Sequence, residues 1–269
     1  MRKIIFYTVL IIAAFGFLYP FIWMVSASFS TEREISKLVF LPQQFTFDNY
    51  KALVKSIPIF QALFNSVLVA SIVTFGVLIF SSMVGYALAK HNFKGRNLIF
   101  YIIIFTMTLP FQITLIPNYI LMVKFGWVNS YAALIIPSLM NAFAIVLFRQ
   151  HFRTIPQDLL DAARIDGCSE LRIIFQVLWP NSVPTLVTVG ILTFMASWNE
   201  VLWPLIVIRT EELMTLPQLV TLFAVGGRAQ AQLGVKLASA TMLAVPIIIA
   251  YLIFQRYFIQ SMAASGLKE

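Results

Sequence analysis

The side chains that could perform chemistry are few, and their spacing argues against catalysis. His91 and His151 stand far apart, and neither belongs to a His-Glu-x-x-His metal motif. The sequence has no Gly-x-Ser-x-Gly motif for an activated serine and no Gly-x-x-x-x-Gly-Lys-Ser/Thr loop for a phosphate. Cys168 is the only cysteine, which excludes an intrachain disulfide. We therefore predict no catalytic residue, no metal site and no cofactor in this chain.

Binding to another protein is the chemistry that the charged segment at residues 157–167 indicates. Two adjacent alanines lack bulk, so a helix that carries them can enter a groove of a partner, while charged neighbours form a complementary rim. A glycine after the helix lets the chain reverse direction. An amphipathic loop on the membrane surface is the alternative interpretation. The candidate residues are Asp158, Asp161, Ala162, Ala163, Arg164, Asp166 and Gly167.

Asn199 and Glu200 form another polar group, beside Trp198 near the end of an apolar stretch. An ionisable residue at membrane depth suggests function, because its burial is costly unless it is paired or hydrated. Aromatic faces with amide or carboxylate groups would suit a sugar. A structural salt bridge or helix-end contact of Glu200 is the alternative.

The stretch around residue 110 contains two prolines, Pro110 and Pro117. Proline removes a helix hydrogen bond, so both positions predict a kink or local unwinding. Irregular backbone within a bilayer is tolerated where protein or water satisfies it. Gln112 and Asn118 are therefore candidate pathway residues, with a purely structural kink as the alternative.

The elements that carry these residues are predicted to be membrane helices. Hydrophobic residues make up 60% of the chain and charged residues only 11%, far below the usual quarter. Six charge-free stretches can each supply the roughly 20 apolar residues needed to cross a hydrocarbon core of about 30 Å. They are residues 4–31, 56–89, 97–123, 125–148, 173–199 and 237–255. The first exceeds the apolar run of a signal peptide, so we expect a retained helix.

The net charge of +8 is distributed between these stretches, which indicates topology and not nucleic-acid binding. With a cytoplasmic N-terminus, the internal segments hold 11 of the 19 lysines and arginines and the external segments hold 8. The positive-inside rule then places both termini in the cytoplasm. Residues 28–57 become an external segment along the surface.

The longest charged cytoplasmic segment, residues 149–181, is predicted to form two short helices joined by a glycine turn. Thr154 is a candidate cap with Gln157 completing a capping box, and Gly167 ends the helix. A second amphipathic run covers residues 171–178, until Pro180 ends it.

The sequence Asp-Ala-Ala-Arg-Ile-Asp-Gly at residues 161–167, followed by Leu-Trp-Pro at 178–180, resembles the EAA loop of permeases in ATP-binding-cassette (ABC) importers. Aspartate stands in place of the usual first glutamate. The stretches Tyr-Ala-Leu-Ala at 86–89, Phe-Lys-Gly-Arg-Asn at 93–97, Ser-Trp-Asn-Glu-Val-Leu-Trp-Pro-Leu at 197–205 and Phe-Gln-Arg-Tyr-Phe at 254–258 are similar to the maltose-type carbohydrate branch. The resemblance covers nearly the whole chain.

This resemblance implies an all-α integral membrane protein with six transmembrane helices, the type I importer fold and a cytoplasmic coupling helix between spans 4 and 5. It divides the chain into a first helix and external segment at 1–59, a type-1 core at 60–258 and a cytoplasmic tail at 259–269. The implied location is a bacterial or archaeal cytoplasmic membrane. The implied function is half of the translocation pathway of a sugar importer.

The partners that the resemblance implies are a second homologous permease, two ATPase subunits that use ATP and Mg, an external solute-binding protein and the lipid bilayer, but no nucleic acid. Gly226, Gly227 and Arg228 would meet the binding protein. The tail at 263–268 would pass between the ATPase subunits, with a disordered terminus as the alternative.

Four other functions remain open from the residues. A non-sugar solute such as glycerol phosphate would need a protein with the same features. A secondary carrier predicts inverted repeats and midplane carboxylates, and we see neither. An intramembrane enzyme lacks a catalytic constellation here, while a membrane-anchored scaffold would have no ATPase partner.

Overall fold

The computed structural model describes residues 2–37, 39–225 and 232–266, and this part of the chain is helical without any strand. Apolar side chains favour helices in a bilayer because a helix satisfies its own backbone hydrogen bonds. In chain order the α-helices are α1 (Arg2–Ser28), α2 (Glu32–Ser36), α3 (Asp48–Ser56), α4 (Ile59–Lys90), α5 (Arg96–Thr106), α6 (Phe111–Lys124), α7 (Tyr131–Ile135), α8 (Ala142–Thr154), α9 (Gln157–Ile165), α10 (Glu170–Arg172), α11 (Val183–Trp198), α12 (Leu202–Val207), α13 (Leu216–Val225) and α14 (Leu233–Gly266).

Three helical segments among the described residues are long and apolar enough to cross a membrane: Lys3–Ser28, Ile59–Lys90 and Tyr131–Thr154, the last of which combines α7 and α8. Two further spans result if each of two bent pairs is counted as one, α5 with α6 and Glu170–Leu178 with Pro180–Trp198. The apolar part of α14 at Leu233–Ile249 is shorter. These segments indicate a chain that crosses the membrane several times, while the number of six spans stays a prediction.

The third predicted span differs from a kinked rod, because α5 and α6 meet at 102°. The break lies at Met107–Pro110, where turn hydrogen bonds replace the helix and Pro110 has an extended backbone before α6. A proline disfavours helical geometry in the residue before it, which explains this position. Pro117 lies inside α6 without ending it, so the backbone is not unwound there, and a kink at this position stays a prediction.

The fourth charge-free stretch, residues 125–148, begins six residues before the candidate span that it overlaps. Residues 125–130 form a turn in which Gly126 and Asn129 have positive φ angles of 69° and 62°. The candidate span runs instead over Tyr131–Thr154. The charge-free stretch includes the turn at residues 125–130, because uncharged turn residues cannot be distinguished from membrane-spanning residues by charge alone.

The described chain divides into two compact units. The first comprises Met1–Leu63 with Thr215–Ile249. Within it, the buried Asn49 donates its amide N–H groups to the carbonyls of Ser28 and Ser30, at 2.9 Å each. Gly234 donates its backbone N–H to a carboxylate oxygen of Glu32 at 2.8 Å, and a Cβ there would lie 2.5 Å from Asn49. Glycine therefore permits this close contact of α14 with the segment that carries α2 and α3.

The second unit comprises Phe64–Met214 with Ala250–Glu269 and contains the candidate sites. Small residues on α4 allow close packing, as expected where helix contact in lipid depends on shape and hydrogen bonds. Ser81 and Ser82 are fully buried, and Ser82 accepts a hydrogen bond from the indole of Trp179 at 3.1 Å. A Cβ on Gly85 would lie only 2.6 Å from the Cβ of Phe148 on α8.

Gly85→Ala is expected to destabilise the protein, because the clash is with a Cβ that moves only with its backbone. Overpacking of this kind costs about 1–3 kcal/mol. The measurement is the thermal unfolding midpoint of the purified protein in detergent. Gly190→Ala is the matched control within a helix of the same unit, since its nearest neighbours would be 3.9 Å away. Equal midpoints for the two variants would contradict this account of α4 packing.

Candidate functional site

The predicted helix at residues 157–165 is present as α9, and the predicted glycine stop is confirmed. Gly167 has a φ of 79°, which glycine adopts without the penalty that a side chain brings. The N–H groups of Gly167 and Cys168 donate to the carbonyls of Arg164 and Ala163, each at 3.0 Å. These two bonds reverse the chain directly after α9.

The predicted start of α9 is wrong in its capping residue. Thr154 is the last residue of α8, and its hydroxyl donates to the carbonyl of His151 at 2.8 Å. Pro156 occupies the cap position of α9, so the expected capping box with Gln157 does not form. Ile155 is extended because the following proline excludes helical geometry there.

The second amphipathic run ends at Leu178, just before Pro180, as predicted. It forms α10 and a π-helical segment, Ile173–Leu178, and a short 3-10 turn, Pro180–Ser182, then leads into α11. The direction changes by 48° at this proline. The segment after Gly167 is therefore joined to the fifth predicted span without an intervening loop.

The two adjacent alanines lie on different faces of α9. Ala163 is 9% exposed and Leu160 is fully buried, so they attach α9 to its own chain. Ala162 is exposed, and the apolar side chains of Leu159 and Ile165 are exposed on either side of it, Ile165 by 87%. Residues three apart share a helix face. The outward surface is therefore Leu159, Ala162 and Ile165, two of which the sequence analysis missed.

The charges of α9 are also divided between two roles. Asp158, Asp161 and Asp166 are exposed, as predicted for a rim. Arg164 is directed instead to its own chain, with 31% of its side chain exposed. Its guanidinium donates to Asp161 at 2.8 Å and to Glu170 at 3.0 Å. The bond to Glu170 in particular raises the pKa of Arg164 above its usual range, so the side chain stays charged.

Four side chains meet behind α9, and we call them the Arg164 cluster: Tyr86, His91, Arg164 and Glu170. The Tyr86 hydroxyl accepts from Arg164 at 3.1 Å and donates to the Glu170 carboxylate. His91 Nε2 lies 3.4 Å from the same carboxylate, and its ring contacts that of Tyr86 edge to face. Tyr86 and Glu170 were not predicted as functional residues, because neither lies within the proposed docking segment at residues 157–167.

Lys90 adds a further bond between the end of α4 and the residues that precede α9. Its ammonium group donates to the backbone carbonyl of Ile155. The short connection between α8 and α9 is therefore held at the end of α4.

The residues near the end of α11 have local structural partners. Trp198 is buried and stacks on Phe194 with ring centroids 5.9 Å apart. The Asn199 amide donates to the carbonyl of Met195 at 2.8 Å. A Glu200 carboxylate oxygen accepts the N–H of Trp203 at 3.1 Å, at the start of α12. Glu200 therefore makes the helix-end contact that the sequence left open as its alternative.

The helix α6, which carries the candidate pathway residues Gln112 and Asn118, contacts α12 through Phe111. Phe111 and Trp203 meet edge to face at 6.2 Å, and the Trp203 indole donates to the carbonyl of Ala133 at 2.8 Å. Gln112 is exposed and Asn118 is half-buried. The structure thus brings the start of α6 to α12.

A cavity of about 450 Å³ lies along α4 and α11. This volume falls within the range of about 300–1,000 Å³ typical of small-molecule sites. Its lining residues are uncharged: Ser71, Thr74, Phe75, Leu78, Leu186, Val187, Gly190, Ile191, Phe194, Met195 and Tyr251. Phe194 joins this cavity to Trp198 at the end of α11.

Some predicted residues cannot be placed. Gly226, Gly227 and Arg228 lie outside the described residues, as do residues 267–269. The backbone of α14 is helical to Gly266, so the predicted boundary at 258/259 falls inside a helix. Among the described residues no group of histidine, cysteine and acidic side chains could hold a metal ion.

These helices and the reversal after α9 define a membrane protein that crosses the bilayer several times and exposes a short apolar and acidic helix outside its long apolar segments. Residues 78–264 match the family of binding-protein-dependent transport system inner membrane components, and the chain belongs to this family. It is therefore an ABC importer permease and not an enzyme. The family implies a partner permease, ATPase subunits and a solute-binding protein.

Similar proteins extend over almost the whole chain. The arabinooligosaccharides transport system permease protein AraQ of Halalkalibacterium halodurans is 38% identical over 261 residues, covering 95% of this chain and 92% of the relative. The Bacillus subtilis protein of the same name is 36% identical, covering 94% and 91%. The lactose transport system permease protein LacG of Rhizobium radiobacter is 31% identical, covering 98% and 96%.

A crystal structure has the same fold. A chain of a bacterial ABC transporter involved in the import of the acidic polysaccharide alginate has a TM-score of 0.84 and 30% identity, with 96% of each chain covered. The inward-facing MetNI methionine ABC transporter has a TM-score of 0.56 at 18% identity, covering 76% of this chain and 95% of that chain, and supports the fold alone.

Gly167→Ala is expected to weaken the chain reversal, since the left-handed conformation costs other residues about 1–2 kcal/mol. The position is open, so a steric clash does not contribute. Hydrogen exchange of the Cys168 amide, which closes the turn, should accelerate by about 5- to 30-fold. Gly190→Ala serves as the control, and an unchanged Cys168 rate in Gly167→Ala would contradict the proposed strain.

Proposed function

We propose that this chain forms half of the translocation pathway of an ATP-driven sugar importer and is coupled to a partner ATPase through residues 161–167 and the exposed face of α9. The relatives support a carbohydrate solute, because the names of three of them specify arabinooligosaccharides or lactose. The alginate transporter, similar over 96% of the chain, supports the same class.

The observation that carries the coupling role is the exposure of Ile165, by 87%, next to the Gly167 turn. Burying such a side chain is worth about 1.5–3 kcal/mol, so it favours contact with another protein. Leu159 and Ala162 extend the apolar surface, and Asp158 and Asp166 flank it. The matching partner surface is an apolar groove with basic residues at its rim.

In this mechanism the partner ATPases bind ATP with Mg and close, and α9 moves with the groove that holds it. The closure turns the membrane helices from inward-facing to outward-facing, and hydrolysis resets them. For this mechanism α9 must lie in the cytoplasm. With six spans and α9 between the fourth and the fifth, both termini lie in the cytoplasm as well. The external loop with Gly226, Gly227 and Arg228 would meet the solute-binding protein, and the tail would pass between the ATPases.

For the solute we propose a path that includes the cavity along α4 and α11, with Trp198, Asn199 and Glu200 at the end of α11 and Gln112 and Asn118 on α6. The aromatic groups of Phe194 and Tyr251 suit the apolar faces of a sugar ring, and the rest of the lining is almost wholly apolar, since the Thr74 hydroxyl donates to the carbonyl of Ala70 at 2.7 Å. A permease for sn-glycerol-3-phosphate from Shigella flexneri is 31% identical over 78% of this chain. The uncharged cavity lining favours a neutral sugar over that anion.

Ile165→Asp is expected to weaken docking of the ATPase, because it places a charge in an apolar groove. We expect loss of most of the co-purified ATPase subunit and of binding-protein-stimulated ATP hydrolysis in reconstituted vesicles. Ile165→Leu is the matched control and should behave as the parent protein. Asp158→Lys and Asp166→Lys test the rim without disturbing Asp161, which also binds Arg164. Full assembly and uptake in all three charge variants would show that this surface does not dock the ATPase.

Phe194→Ala is expected to reduce solute uptake without preventing assembly, because it removes an aromatic wall of the cavity and the stacking partner of Trp198. The measurement is uptake of labelled arabinooligosaccharide and of sn-glycerol-3-phosphate into vesicles that contain the complex and its binding protein. Phe17→Ala, at an exposed position on α1, controls for loss of a phenyl ring. Uptake of the phosphate alone would contradict the sugar assignment, and unchanged uptake in Phe194→Ala would contradict the path.

A further inference from the structure

The Arg164 cluster joins three separate elements behind the exposed face of α9. Tyr86 comes from the end of α4, Arg164 from α9 and Glu170 from α10. Each of the three side chains is hydrogen-bonded to the other two. A triangle of directional bonds fixes the orientation of its members more strictly than a single contact does.

The bonds in this triangle are charge-assisted, since they join a guanidinium, a carboxylate and a phenolic hydroxyl. Arg164 binds both oxygens of Glu170, with Nε at 3.0 Å from Oε1 and Nη2 at 3.4 Å from Oε2. Such bidentate pairs combine charge with a defined plane. The Tyr86 hydroxyl closes the triangle, because it accepts from the guanidinium and donates to the carboxylate.

The apolar contacts of α9 do not fix the orientation of this helix as strictly as the hydrogen bonds do. Leu160 and Ala163 attach the helix to its chain, but hydrophobic contact is non-directional and leaves a short helix free to rotate or slide. The Arg164 cluster acts from the last turn of α9, close to Ile165 and the Gly167 reversal. It therefore fixes the part of α9 from which the exposed surface projects.

We propose that Tyr86, Arg164 and Glu170 are positioning residues that make α9 move as one body with α4 and α10, so that a displacement of its exposed face reaches the membrane helices. This inference rests on the proposed docking of an ATPase to α9. Arg164 then serves transmission inside the chain and not recognition at the rim. Since α10 leads into α11, the same bonds pass the displacement to a second long helix.

The direct test is Tyr86→Phe, which keeps the buried ring and removes only the hydroxyl that closes the triangle. The variant complex, with its ATPase and binding protein, is reconstituted in vesicles, and solute uptake per ATP hydrolysed is measured. We expect this ratio to fall by about 2- to 30-fold, the range seen for changes in coupling networks, while the ATPase still co-purifies. Tyr7→Phe, at an exposed position on α1, is the control for loss of a phenolic hydroxyl.

A double-mutant cycle separates positioning from a general loss of stability. Tyr86→Phe and Glu170→Gln act on one triangle, so the double variant should lose less coupling than the product of the single losses. Arg164→Lys keeps the charge but not the planar fork, and should uncouple like Glu170→Gln. Losses that simply multiply, or uptake and ATP hydrolysis that fall in parallel at an unchanged ratio, would overturn the proposal.

Ile165→Asp in the same experiment distinguishes this inference from the function on which it rests. If Ile165→Asp releases the ATPase while Tyr86→Phe, Arg164→Lys and Glu170→Gln keep the parent ratio, the docking stands and the positioning role is wrong. If Ile165→Asp changes nothing, the docking itself is wrong. Should Tyr86→Phe fail to insert, Glu170→Gln decides, and a parent ratio in that variant overturns the positioning role.

Discussion

The pairing of Arg164 with Glu170 is the interaction on which the arrangement behind α9 depends. The two residues lie on opposite sides of the Gly167 turn. Their bidentate side-chain contact joins the two ends of this turn, in addition to the backbone hydrogen bonds within it. Tyr86 extends this closure to α4. A force applied to this nine-residue helix reaches the long membrane helices through such contacts, together with the bond from Lys90 to Ile155 and the buried Leu160, since a helix this short has little stability of its own.

The same requirement for a partner explains the polar residues in the apolar segments. Asn65 donates to the carbonyls of Glu212 and Met214, at 2.8 and 2.9 Å, and accepts from the Tyr131 hydroxyl. Glu200 accepts from the start of α12. Unpaired polar groups are costly in hydrocarbon, so each of these side chains is placed where a helix end offers a free backbone group. A carboxylate at the end of an apolar helix therefore indicates a helix-end contact as readily as a substrate site.

The sequence was sufficient for features that depend on composition and near neighbours. Charge-free stretches predicted the long apolar helices, and Gly167 predicted the reversal after α9. The sequence was insufficient where the role of a residue depends on a contact with a distant one. Arg164 donates a hydrogen bond to Tyr86, which lies 78 positions earlier in the chain. The same limit applies to Ala162 and Ala163, whose types are identical and whose exposure is opposite. Thr154 fits a capping pattern, yet α8 continues through it.

The position of Ile165 could have been inferred from helical periodicity. Leu160 and Ala163 are three residues apart and define the buried stripe of α9, whereas Ile165 lies five positions after Leu160, about 140° away around the helix. An isoleucine so far from the stripe is not required for packing within the chain. Together with an adjacent glycine turn and an acidic rim, such a residue indicates contact with a partner. The periodicity of a short helix thus separates the side that holds it in its own chain from the side that is available to another protein.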